Sequence, residues 1–148
     1  MNRLTASAAA LLFNPQGEVL IVNPTYKDYW NLPGGHIDIE RGETPYDATV
    51  REVREELGIA PPIGKLLVHA WINNPGTGAQ ILYVFDGGTL GPDDLRAITL
   101  QKGELSDYRF HSPTEESEGL VPPYLMHTWE QALLAHRDNR IIYVSAGR

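Results

Sequence analysis

Three glutamates, Glu52, Glu55 and Glu56, fall within about one helical turn of the stretch GETPYDATVREVREELGI, Gly42 to Ile59. Residues three and four apart share a helix face, and a like-charged pair there costs a lone helix roughly 0.2–0.5 kcal/mol. At 100° per residue, Tyr46, Val50, Val53 and Leu57 cluster in a sector about 60° wide, and the glutamates lie opposite. The spacing predicts a helix with a core face and an acid face. A solvated surface is the ordinary fate of such a face. The chemical alternative is a divalent cation held by carboxylate oxygens, because neither Arg51 nor Arg54 sits centrally in the acid sector.

Pro33-Gly34-Gly35 lies upstream of those acids. Glycine tolerates positive φ and has no side chain to obstruct a ligand, so backbone carbonyls there could complete a metal shell. Mg²⁺ prefers six oxygens and retains waters, so a few carboxylates plus substrate phosphates is its expected site. Metal, acids and water together point to hydrolysis of a phosphate bond. The chain has no cysteine, and its five histidines show no short ligand spacing, so carboxylate oxygens are the natural donors.

Positioning those groups requires a packed core, and 148 residues with 42% hydrophobic content suffice for one domain, 1–148. A net charge of −7 with only twelve scattered Lys and Arg argues against a surface that tracks nucleic acid. A small-molecule ligand is expected instead. The cysteine-free composition suits a reducing cytosol, which makes a cytoplasmic location the expectation. The apolar run Ala8 to Phe13 is far short of the roughly 20 residues that span a bilayer. Arg3 precedes it, yet no small-x-small cleavage site follows, and Asn14-Pro15-Gln16-Gly17 reads as a turn into a second strand. No membrane association is expected.

Leu4 to Phe13 and Glu18 to Val22 read as a first strand pair, followed by a loop carrying Tyr26, Tyr29 and Trp30. The acid-bearing helix has Thr44 as N-cap, Pro45 at its first position and Gly58 at its stop. Ile63 to Asn73 and Gln80 to Asp86 form a hairpin about the Asn74 to Gly78 turn, and Asp86 to Asp94 reads as a Gly-rich connection. Strand-like patches recur at Ala97 to Leu100 and Leu105 to Phe110, and Ser112-Pro113-Thr114-Glu115 has capping-box spacing for a short helix. Pro123 to His136 is a second long helix, with Leu125, Trp129, Ala132, Leu133 and His136 as its core stripe, and Ile141 to Val144 closes the sheet. The fold class is α/β, in the α+β sense of a mixed, largely antiparallel sheet with helices on its faces.

From Glu43 onward the segment resembles the Nudix hydrolase signature, G-x5-E-x7-R-E-U-x-E-E-x-G-U with U apolar. Glu43, Arg51, Glu52, Val53, Glu55, Glu56, Gly58 and Ile59 match every fixed position. Trp30 to Gly35 before the box is also similar to family members. One departure stands between Gly35 and Glu43, where seven residues replace the family's five. A two-residue bulge is expected there, and it leaves open whether the Gly35 carbonyl reaches a metal.

The resemblance implies an α/β/α sandwich and hydrolysis of a nucleoside diphosphate linked to another moiety, a nucleoside triphosphate or a nucleotide sugar such as ADP-ribose, with Mg²⁺ or Mn²⁺ required. Carried over by position, Glu52 and Glu56 are metal ligands and Glu55 is a ligand or a base. Arg51 orients the cluster by pairing with Glu43. Glu104, ahead of an aromatic strand, is similar to a distal glutamate ligand of many members, against a plain surface acid; Glu115, Glu116 and Glu118 rank below it. Pro75, sixteen residues past the box, resembles a position associated with ADP-ribose-type hydrolases, although it also suits a hairpin turn. The flat rings of Tyr26, Tyr29 and Trp30 could stack on a nucleobase or simply pack.

Two other classes stay in view. One is a catalytically silent Nudix-fold module that binds a nucleotide, favoured only by the longer loop after Gly35. The other is an unrelated domain with an acidic helix face. Whether the protein is a monomer or a homodimer is left open.

Overall fold

The computed structural model describes residues 3–25, 29–113, 121 and 123–146. The acid-bearing helix is α1, Pro45–Leu57, and its ends are chemically fixed. The Thr44 hydroxyl accepts from the Asp47 N–H at 3.1 Å while the Asp47 carboxylate accepts from the Thr44 N–H at 3.3 Å, a reciprocal capping box. At the other end Gly58 adopts φ 70°, and its N–H reaches the Arg54 carbonyl.

Strands β1 (Arg3–Phe13), β2 (Val19–Pro24), β3 (Gly34–His36), β4 (Leu66–Asn74), β5 (Gly78–Thr89), β6 (Leu105–His111) and β7 (Ile142–Ala146) join in one mixed sheet among the described residues. The order is β6-β2-β1-β5-β4-β7, with β3 paired to β1 off that path. Central β1 runs parallel to β5, and its second half, Ala8 to Phe13, is buried throughout, so the continuously apolar run there is what a doubly covered strand requires.

Alternate β1 residues enter separate cores. Leu11 and Phe13 pack with Trp129, Ala132 and Ala135 of helix α3, Pro123–Asp138. Ala10 and Leu12 pack with Val53 and Leu57 of α1. The two helices therefore cover opposite faces, giving the expected α/β/α layering; full burial of a Val or Leu side chain such as these contributes about 1.5–3 kcal/mol.

The strand pair β1–β2 is short. Only Phe13 and Val19 are in register; β2 then leaves to pair with β6, while Ser7, Ala8 and Ala9 of β1 turn to His36, Gly35 and Gly34 of β3. A single bridge, Val22 to Asn31, ties β2 to the loop before β3. The sheet is splayed at this point, and the splay positions the site.

Several elements differ from the sequence reading. The supposed connection Asp86 to Asp94 is instead the end of β5 and the start of helix α2, Pro92–Ala97, whose first turn carries Asp93 and Asp94. Ala97 to Leu100 is not a strand. Its continuation hydrogen-bonds to the end of α1, with Thr99 N–H donating to Leu57 O at 2.8 Å and Gln101 N–H to Glu56 O at 3.1 Å, satisfying carbonyls that a helix end leaves orphaned. The helix expected to start near Ser112 and the residues Glu115, Glu116 and Glu118 fall outside the described residues, except that Ser112 and Pro113 are irregular. Tyr26 lies outside them too.

Candidate active site

Arg51 is the hub of the acid cluster. Its Nε donates to Glu43 Oε2 at 2.7 Å and its Nη2 to Glu43 Oε1 at 2.9 Å, a two-pronged pair in the expected orienting geometry. The same guanidinium reaches further, from Nη1 to Glu52 Oε1 at 2.9 Å and to Glu55 Oε2 at 3.1 Å, and from Nη2 to the His36 carbonyl at 3.1 Å. Although neither arginine was expected at the centre of the acid sector, Arg51 reaches both Glu52 and Glu55 and relieves part of their repulsion. The hydrogen bonds of Arg51 hold the Glu43 carboxyl down at about 2, against the cost of its burial and with help from the Asp38 N–H.

Glu56 is different. The helical wheel set it on an acid face, yet its side chain is 6% exposed and turns inward. Its Oε1 accepts from the Gly34 N–H at 3.2 Å, whereas its Oε2 is buried with no hydrogen-bond partner. Burial pushes this carboxyl up to about 8, the negative charge of Glu52 adds to the rise, and the Gly34 N–H offsets part of it. A buried carboxylate oxygen without a donor is costly as an anion unless a cation comes to it.

The longer loop before Glu43 forms a compact turn instead of displacing the glycines. Ile39–Arg41 makes one 3-10 turn, Gly42 adopts φ 71°, and Glu43 Oε1 accepts from the Asp38 N–H at 2.9 Å. Gly35 consequently stays against α1. A Cβ at Gly35 would sit 2.6 Å from Glu52 Oε1, so only glycine allows that approach. Among the described residues no three His, Asp or Glu side chains form a ready-made cation cage. What the residues offer is an oxygen-only set around Glu52, Glu56 and the Gly35 backbone, which fits Mg²⁺ completed by water and phosphate.

This corner opens into a cavity of about 450 Å³ at the splay between β1 and β2. Glu52, Glu56, Gly34 and Gly35 form part of its wall, and Gln101 and Glu104 line it from the segment entering β6. Leu82, Val84, Leu125 and Trp129 supply an apolar wall beneath α3. The cavity thus joins carboxylates from one face of the sheet to an apolar surface on the other, within the size range of small-molecule sites, roughly 300–1,000 Å³.

The other expected residues fall elsewhere. Glu55 is exposed and held by Arg51, outside the cavity wall. Tyr29 and Trp30 are half-buried and not among the lining residues; Trp30 packs against the core under α3, and Arg109 Cζ sits 4.9 Å above its ring centre. Pro75 lies in the turn between β4 and β5. The sequence reading missed Gln101 and Thr128 on the cavity wall. Thr128 had a readable signal, because it follows Leu125 by three and precedes Ala132 by four and so interrupts an apolar helix stripe with a hydroxyl.

Comparisons with known proteins bear on the family and the fold. Residues 3–135 match the NUDIX domain. An uncharacterised Nudix hydrolase of Listeria monocytogenes is 33% identical over 131 residues, covering 76% of this chain and 69% of that protein. An RNA pyrophosphohydrolase of a Psychrobacter species is 44% identical over 62 residues, but these cover 42% of this chain and only 35% of that protein. The crystal structure of a MutT protein from Methanosarcina mazei superposes with a TM-score of 0.71 at 25% identity, covering 93% of this chain and 96% of that one. With a domain match that spans nearly its whole described length and a catalytic-type box read independently from its residues, the chain belongs to the Nudix family.

Proposed function

We propose that this chain is a pyrophosphohydrolase that cleaves a nucleoside diphosphate linked to another moiety, with Mg²⁺ or Mn²⁺ as cofactor. The observation that carries the reading is the buried, unpartnered Oε2 of Glu56, a residue that lines the cavity together with Glu52. Glu52 and Glu56 would hold the cation, with the Gly35 backbone close enough to Glu52 to contribute. When bound, the metal supplies Lewis-acid polarisation of phosphoryl oxygens and a more acidic water.

The remaining roles belong to the protein. Arg51 fixes Glu52 by the 2.9 Å contact and leaves Glu56 without a positive partner of its own. Glu43 anchors Arg51, and through it the cluster. A carboxylate within reach of the attacking water takes its proton, and Glu52, Glu55 and Glu56 are the candidates. Glu104, which also lines the cavity, is proposed as a distal metal ligand.

The test is incubation of the purified protein with nucleoside triphosphates, ADP-ribose and other nucleotide sugars, with Mg²⁺, Mn²⁺ or a chelator. Metal-dependent release of a nucleoside monophosphate is the expected result. Nucleotide binding by calorimetry without turnover under any metal would overturn the assignment in favour of a sensing module.

A further inference from the structure

Among the described residues, two buried side-chain polar atoms lack a hydrogen-bond partner, Glu56 Oε2 and Thr128 Oγ1. Both residues line the same cavity, and they come from helices on opposite faces of the sheet. A helical threonine ordinarily turns its hydroxyl back to a carbonyl of the preceding turn, as Thr49 does to Pro45 O at 2.9 Å. Thr128, 2% exposed, does not. Leaving a buried hydroxyl unpaired is costly, so the arrangement is explained most simply if a ligand completes it.

The chemistry of the wall limits that ligand. Around Thr128 stand Leu82, Val84, Leu125 and Trp129, which suit a flat apolar surface. No Lys or Arg is among the described lining residues, so the cavity has no side chain to neutralise a polyphosphorylated ring. We propose that Thr128 is a specificity-determining residue whose hydroxyl hydrogen-bonds the edge of a neutral heteroaromatic ring, the base of a nucleoside diphosphate, seated on the apolar wall beneath α3. This rests on the pyrophosphohydrolase reading for the placement of the diphosphate, but not on turnover.

Binding of ADP, GDP, UDP and CDP in the presence of Mg²⁺, and of inositol hexakisphosphate, is measured by calorimetry for the wild type, Thr128→Val and Thr128→Ser. The wild type is expected to prefer one or two bases. Thr128→Val should lose about fivefold to tenfold in affinity for these and level the ranking, while Thr128→Ser keeps it. Without ligand, Thr128→Val should melt at or above the wild-type temperature, because it removes an unpaired polar atom and keeps the shape. Thr128→Ala serves the same comparison of affinities if the valine variant does not fold.

An unchanged base ranking in both hydroxyl-free variants would overturn the proposal, as would inositol hexakisphosphate binding as tightly as the preferred nucleotide. Base-selective binding without hydrolysis of any derivative would leave the role of Thr128 standing and defeat the pyrophosphohydrolase reading alone.

Discussion

Arg51 grips Glu43 with two parallel hydrogen bonds, 2.7 and 2.9 Å long, linking the loop before α1 to the middle of that helix. Because the same guanidinium also bonds Glu52 and Glu55, the pair transmits the position of the loop to the acid cluster.

Lysine cannot reproduce that fork. Arg51→Lys keeps the charge but removes the planar, multi-donor geometry, so it should lower unfolding free energy by about 1–3 kcal/mol and reduce turnover as well. Urea denaturation measures the first effect. An unchanged midpoint would show that the network contributes little to the fold.

The depressed carboxyl of Glu43 makes an acid-side prediction. Its folded value is about 2 against an ordinary 4.5, so its stabilisation is complete above the unfolded value and is lost as pH falls from 4.5 towards about 2. The difference in melting temperature between wild type and Glu43→Gln should be constant from about pH 6 to 8 and shrink steadily below about pH 5. A gap that stays the same down to about pH 3 would contradict the assignment.

Glu56→Gln deletes a charge from a buried place at nearly constant shape. The variant should lose Mg²⁺-dependent turnover and also the rise in melting temperature that Mg²⁺ gives the wild type. Its metal-free melting temperature should equal or exceed that of the wild type above about pH 8, where the buried Glu56 carboxyl would otherwise have to ionise without a partner. Near-normal activity would remove Glu56 from the metal site.

Gly35→Ala tests the close approach of β3 to α1. The added methyl would meet Glu52 Oε1 at 2.6 Å and must push the carboxylate aside or shift β3. Turnover should fall about tenfold or more, because a displacement near 1 Å from productive geometry is enough for such losses. Full activity would mean that the Glu52 carboxylate is free to work from another position.

Much of this was legible in local chemistry. The caps of α1 needed only Thr44, Pro45 and Gly58, and its core face was readable from Val53 and Leu57. Glu56 shows the limit of a helical wheel, which assigns a direction but not what stands opposite: the Gly34 N–H of β3 meets its carboxylate, and the residue is buried. Tyr46 erred the other way. It was placed on the core face but is 42% exposed, with its hydroxyl donating to Ile63 O at 2.8 Å and its ring edge on Phe85. The short helix α2 was hidden because six residues carry too little periodicity to read. Gln101 was out of reach for another reason, since the cavity gathers its lining from elements far apart in the chain, whereas Thr128 stood out as a hydroxyl within the apolar stripe of α3.

The parting of β1 and β2 also separates what can vary from what cannot. On the proposed reading, carboxylate chemistry would enter through one side of the opening and ring selection through the other, on helices that pack into separate cores. Substitutions along the inner side of α3 would then change which compounds fit while the acid cluster on α1 is left intact.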